Sequence, residues 1–399
     1  MATAIVLAGA GARGAYEAGI LSRVLPALLA DEDELVLTGT SAGAINTALV
    51  SATAHLHVED TVECLREVWC TLEESNVFDV NLASALPYVF EVLTAGESRP
   101  RTYGLLDTTP LSKTVDQSDH VDWSNVRRNV GATYVKAAAV VATEVATGQS
   151  VVFLQGLAEV PKNNWARGID YRKADLGGAH VRASAAIPIA FPSVFIEREG
   201  WFADGGIRLN TPIAPAIDML EKLGTPVKRI VIIATHPDPS APPSSVAKPI
   251  LDRPDIIDEC ASILHSLFVD RVAEDVHALR RHNHAIAATR SISGPALRGH
   301  SPGDGVQVVE HAYFGPPAAG LFAQAAADVF AAKYSRWSLK DFSLISRALG
   351  GKGASRDELL SFLFFDPDFL TRIFEMGRAH AEAAMVSGIP WAMTHPPDK

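Results

Sequence analysis

Cysteine is scarce in this chain. Cys64, Cys70 and Cys260 are the only three in 399 residues, and no two form a C-x-x-C pair. A disulfide framework is excluded, and a reduced, intracellular setting is the simplest expectation. Basic charge is also short: 35 Lys and Arg stand against 46 Asp and Glu, for a net charge of −11. That argues against a nucleic-acid partner and against attraction to acidic membranes by bulk charge. No apolar run approaches the length of a bilayer span. The apolar start, Met1 to Leu7, has no basic residues before it and meets Gly9 early, so it does not read as a signal peptide. A soluble, cytoplasmic protein is expected. Internal repeats, low-complexity tracts and metal-ligand spacings are missing as well. His55-x-His57 and His282-x-His284 have no nearby Cys or carboxylate set and read as exposed side chains. Neither metal nor cofactor is expected.

What is present is apolar mass, 48% hydrophobic against 20% charged, enough for a large core. The chain is organised around Glu34 to Val50, where the strand-like Leu35-Val36-Leu37 runs through Gly39-Thr40-Ser41-Ala42-Gly43 into a helix-forming run. This is G-x-S-x-G in the setting that gives it meaning, strand then sharp turn then helix. Gly39 and Gly43 approach one another across such a turn, where a Cβ would clash. Ser41 then stands at the amino end of a helix, whose partial positive charge favours an oxyanion. The plainer reading is a serine that only caps the helix.

Earlier, Ala4 to Ala8 reads as a buried strand followed by Gly9-Ala10-Gly11-Ala12-Arg13-Gly14 and a helix over Ala15 to Ala30, which Pro26 should kink or end early. A G-x-G-x-x-G in this place invites a dinucleotide reading. The acidic cluster Asp31 to Glu34 precedes the second strand instead of ending it, so that reading fails. An anion cradle fits better: the N–H groups of Ala10, Gly11 and Ala12 point into one site, with Arg13 adding charge or bracing the loop. The third motif is Asp204-Gly205-Gly206, after Trp201-Phe202-Ala203. Its plain reading is an Asx turn at a strand end. Its functional reading is a general base whose pKa burial would raise, with glycines that let the serine loop approach.

The remaining pattern predicts a helix from His55 to Val80, an irregular apolar segment Pro87 to Leu93, and a loop entering a helix near Thr109-Pro110-Leu111. Strands are expected at Tyr134 to Ala142 and Ser150 to Leu154, a short helix over Ala183 to Ile187, and a strand at Val194 to Ile196. Then come a helix from Asn210 to Leu223, a buried strand Arg229 to Ala234, a proline- and serine-rich crossover from His236 to Pro249, and a helix over Asp255 to Ala288. Last are a loop from Arg290 to Asp304, a strand at Val306 to Phe314 and three helical runs to about Val386.

Together the three motifs, with Arg182-Ala183-Ser184-Ala185-Ala186-Ile187-Pro188 and Asn210-Thr211-Pro212-Ile213 between and after them, resemble the patatin-like phospholipases in order and spacing. The resemblance runs from about residue 4 to 235. Beyond it, Phe364-Phe365-Asp366-Pro367 resembles the C-terminal segment of bacterial members. It implies an α/β protein, a three-layer α/β/α sandwich on a mostly parallel sheet with additional C-terminal helices. A catalytic domain at 1–240 is expected, with a mainly helical region at 241–399 packed on it. By resemblance Ser41 is the nucleophile, Asp204 the base, and the loop of Gly9, Ala10, Gly11 and Arg13 the oxyanion hole. Gly39 and Gly43 shape the elbow, and Gly205 and Gly206 the aspartate's loop. The implied substrate is a phospholipid or other acyl-ester lipid, met by transient membrane contact. The family usually has glycine where this chain has Ala10, which requires a loop geometry that a Cβ tolerates. Three other readings compete: a Ser–His–Asp esterase using His236, a lipid acyltransferase or thioesterase using the same dyad, and a non-catalytic lipid- or partner-binding protein.

Overall fold

The computed structural model describes residues 2–79, 104, 106–116, 122–188, 190–225, 228–239, 271–292, 308–334 and 354–392. Cys260, the predicted segment Pro87 to Leu93, most of the predicted crossover and of the Arg290–Asp304 loop, and the start of the helix predicted from Asp255 lie outside these residues.

The first half of the chain alternates strand and helix: β1 (Ala2–Leu7), α1 (Gly14–Ala30), β2 (Glu34–Thr40), α2 (Ala42–Thr53) and α3 (Val58–Thr71). After α4 (Thr109–Asp116) and α5 (Trp123–Asn129) come β3 (Val135–Glu144), β4 (Ser150–Gln155), β5 (Ile169–Lys173), α6 (Gly178–Ser184), β6 (Val194–Ile196) and β7 (Gly200–Asp204). The rest comprises α7 (Ile213–Lys222), β8 (Lys228–Ile233), α8 (Arg271–Ile292), β9 (Val309–Phe314), α9 (Leu321–Tyr334), α10 (Ala354–Leu363) and α11 (Pro367–Ala384).

The main sheet runs β5-β4-β3-β2-β1-β8-β9. It is parallel from β3 through β2, β1 and β8 to β9, while β4 and β7 meet β3 antiparallel. Strands buried on both faces need apolar residues at successive positions, and β1 and β2 supply them. Alternate side chains then feed two cores. Ile5, Leu7, Leu35 and Leu37 face α1, α2 and α11, whereas Ala4, Val6 and Val36 face Met219 and Leu220 of α7 and Val272 and Val276 of α8. Helices on both faces of a mostly parallel sheet make the expected α/β/α sandwich.

Several local expectations shift. Pro26 sits inside α1 without ending it, because the packing of Ile20, Leu21, Val24, Leu25 and Leu28 against the sheet outweighs one lost backbone bond. The helix predicted from His55 to Val80 begins at Val58 and breaks at Leu72, whose backbone is extended; only the turn Glu74–Val77 follows. The short helix predicted over Ala183 to Ile187 lies earlier, as α6, and ends before Pro188.

The described residues beyond 240 share this architecture. β9 extends the sheet beside β8, and α11 crosses α1 where two glycines permit contact. A Cβ on Gly19 would lie 2.0 Å from the Phe374 carbonyl oxygen, and one on Gly377 2.1 Å from that of Tyr16. α10 is clasped to the glycine-rich loop by Arg13. Only 1% exposed, its guanidinium donates to Ser361 Oγ at 3.0 Å and 2.5 Å and to Glu358 Oε1 at 2.6 Å, and lies over the Phe362 ring at 3.8 Å. Breaking a buried pair from one side leaves its partners unsatisfied. Arg13→Ala is therefore expected to lower the unfolding free energy by about 3 kcal/mol in guanidinium chloride titrations. A change below about 1 kcal/mol, the worth of a surface pair, would show that the clasp contributes little.

Candidate active site

The register of β3 organises the site. β2 runs parallel to it and ends with Thr40 opposite Val141. β7 arrives from the opposite direction and ends with Asp204 opposite Ala142, the next residue. Two strands thus end head to head along one edge of β3, and Ser41, which follows Thr40, is directed at Asp204. The approach is tight. A Cβ on Gly205 would lie 2.3 Å from the Val141 carbonyl oxygen and 3.0 Å from Thr40 Cγ2, so a side chain there would push the two strand ends apart.

Ser41 itself has φ 54° and ψ −122°, a left-handed conformation rare for a residue with a Cβ. Such a conformation costs about 1–3 kcal/mol and persists only where its surroundings enforce it. Here Gly39 and Gly43 make room: a Cβ on Gly39 would meet the Gly43 carbonyl oxygen at 2.1 Å, and one on Gly43 the Leu7 carbonyl oxygen at 2.4 Å. The Ser41 N–H donates to Ser184 Oγ at 2.8 Å, and that hydroxyl donates onward to the Val141 carbonyl at 2.5 Å. Ser184 thereby pins the turn to β3. In the sequence Ser184 is a lone hydroxyl in a run of small apolar residues, a pattern that assigns it no task.

Asp204 is fully buried. Its Oδ1 accepts the Gly206 N–H at 2.7 Å, while Oδ2 has no full hydrogen bond among the described residues. Burial pushes its pKa up from 3.8 to about 7, opposed by the nearby Ser41 hydroxyl and the Gly206 N–H. Its backbone is held too, N–H to the Ala186 carbonyl at 2.9 Å and carbonyl to the Thr143 hydroxyl at 2.9 Å.

The glycine-rich loop closes the third side. Gly9 lies against the serine: a Cβ there would stand 3.3 Å from Ser41 Cβ and 2.2 Å from Asn210 Oδ1. Its N–H donates to the Asn210 carbonyl at 3.1 Å, so the role geometry leaves it is steric. Ala10 has φ −144°, which alanine accepts readily, and the left-handed position falls on Gly11 at φ +55°. The N–H groups of Ala10 and Gly11 have no acceptor among the described residues. Arg13 leaves the loop in the other direction, toward α10, so its guanidinium braces the loop and is not aimed at the serine.

His236 follows β8, two strands from β2, or about 10 Å away at ~4.8 Å per strand. Its carbonyl accepts the Tyr313 hydroxyl at 2.8 Å. His55, His57 and His284 are exposed, and no cluster of metal-ligating side chains occurs among the described residues. No described helix is long and apolar enough to cross a membrane.

No curated protein matches the chain. The crystal structure of VipD from Legionella pneumophila is similar over 94% of this chain and 67% of that one, at 11% identity and a TM-score of 0.32, too loose a likeness to carry any argument. The family described as Patatin-like phospholipase matches residues 5–217, more than half of the chain, from β1 through the serine turn and Asp204 into α7. The chain belongs to the patatin-like phospholipase family.

Proposed function

We propose that the protein hydrolyses acyl esters of phospholipids or related lipids with a Ser41–Asp204 dyad and an acyl-serine intermediate. The observation that carries this reading is the meeting of β2 and β7 on β3, which sets a strained serine against a buried carboxylate.

The charged Asp204 takes the proton of Ser41 as Oγ attacks the ester carbonyl. Negative charge develops on the carbonyl oxygen, where the N–H groups of Ala10 and Gly11 and the amino end of α2 favour it. Collapse breaks the ester C–O bond, and the departing alkoxide takes the proton from Asp204. Water then attacks the acyl-serine, giving its proton to the same carboxylate, and Ser41 recovers its hydrogen as the fatty acid leaves.

Treatment with a fluorophosphonate followed by mass spectrometry tests the reading, with incubation in a lipid mixture run separately. Label on Ser41 and release of fatty acid are expected; an unlabelled Ser41 together with an unchanged lipid pool would refute it. The dyad is also distinguished from a triad. His236→Ala is expected to keep kcat/KM within about threefold, because a residue two strands away leaves the transition state alone. A loss of several orders of magnitude would transfer the base's role to His236.

A further inference from the structure

Beside the nucleophile helix lies an apolar cavity of about 260 Å³. Ile45, Ala48 and Leu49 of α2 form one wall, with Trp69 of α3, Trp123 of α5 and Val181 of α6 around it. Ile45 is one helical turn beyond Ser41, and Ala48 and Leu49 follow at the spacing that keeps side chains on one face. Val181 is one turn before Ser184, whose hydroxyl holds the Ser41 N–H. Trp69 reaches the same place: a Cβ on Gly14 would meet its ring at 2.5 Å and the Ala42 Cβ at 2.7 Å. One end of the cavity therefore starts within a turn of the nucleophile.

α5 and α4 complete the wall. α5 packs on the far half of α2, where Asn129 donates to the Ser51 and Ala52 carbonyls at 2.9 and 3.0 Å. At its start stands Trp123, anchored through Nε1 to the Val115 carbonyl at 2.9 Å. From Ser41 to Leu49 the helix advances about 12 Å, at ~1.5 Å per residue. A methylene needs about the space of a water molecule, roughly 30 Å³, so about nine would fill the cavity.

We propose that this cavity receives the acyl chain of the substrate, a medium-length chain of about eight to ten carbons by the volume estimate above, and that Trp123 sets the upper limit of length. The inference rests on the hydrolase reading and deepens it. The driving force is burial of methylenes, each of which multiplies kcat/KM roughly fourfold while it fits.

A series of p-nitrophenyl esters from acetyl to palmitoyl tests it. For the unaltered protein, kcat/KM is expected to climb to a maximum near decanoyl and fall beyond. Ala48→Phe fills the middle of the cavity and should lower the decanoyl-to-acetyl ratio at least tenfold. Trp123→Ala removes a ring from the wall and enlarges the cavity, and should move the maximum to longer chains. A ratio unmoved by Ala48→Phe with a maximum unmoved by Trp123→Ala overturns the proposal, and if Ala48→Phe does not melt cooperatively, Trp123→Ala decides alone. A second measurement needs no turnover: decanoate displacing a fluorescent fatty acid. Displacement weakened at least tenfold by Ala48→Phe, or strengthened toward longer acids by Trp123→Ala, supports the cavity even if no ester is cleaved, an outcome that would sink the hydrolase reading alone. Displacement indifferent to both substitutions overturns the cavity whatever the activity.

Discussion

Ser41→Ala is expected to abolish acyl-ester hydrolysis, by about 10⁴-fold or more, the loss typical of removing a serine nucleophile, while the chain stays folded. The size follows from the chemistry: without Oγ no acyl-enzyme forms, and only the amides of the glycine-rich loop and the binding of substrate remain. The fold should survive because the bonds that shape the turn are backbone or belong to other residues. The Ser41 N–H still reaches Ser184 Oγ, and the Ser41 carbonyl still accepts from Ala44 at 2.9 Å. Fatty-acid release and fluorophosphonate labelling measure the first effect, and thermal melting the second. Undiminished hydrolysis by a folded Ser41→Ala protein would end the case for this serine.

Asp204→Asn is expected to cost a comparable amount of activity, about 10⁴-fold, as when a catalytic aspartate becomes an amide, and to raise stability in alkaline solution. Both effects come from one buried carboxyl with a pKa of about 7. As a base it works when charged, so kcat/KM of the unaltered enzyme should rise about tenfold per pH unit below 7 and level off above. The sign for stability is opposite. Unfolded, the same side chain loses its proton near 3.9. Between there and about 7 the folded protein holds a proton that the unfolded chain has released, so stability falls as pH rises. The neutral carboxyl's full contribution is present below pH ~4 and is lost as pH passes through 7. Three pH units at ~1.4 kcal/mol each make a difference of about 4 kcal/mol. Urea titrations of the two proteins should therefore agree near pH 4 and diverge by up to that amount at pH 8, with the asparagine form more stable. Parallel stability curves across this range would show that Asp204 ionises as in water.

The buried strands were legible because a parallel strand covered on both faces has to be apolar at successive positions, as Ile5 to Leu7 and Leu35 to Leu37 are. The serine turn was legible because Gly39 and Gly43 are demanded by local backbone geometry. Element ends were less so. Pro26 read as a break, yet its helix is held by the sheet beneath it, and the end of α3 at Leu72 follows no strong local signal. Arg13 had two readings from sequence. Its partners, Glu358 and Ser361, lie almost 350 residues further on, beyond the reach of any local pattern.

By itself the amino-acid sequence determined the α/β class, the family and the place of three short glycine-bearing motifs, since each is a local demand of backbone or periodicity. Only the tertiary structure decided that Thr40 and Asp204 occupy opposite sides of one residue step on β3, that Ser184 holds the turn, and that an apolar cavity lined by Trp123 lies beside α2. Those facts depend on strand register and helix packing, which arise from contacts between residues distant in the chain and leave no trace in the spacing of neighbours.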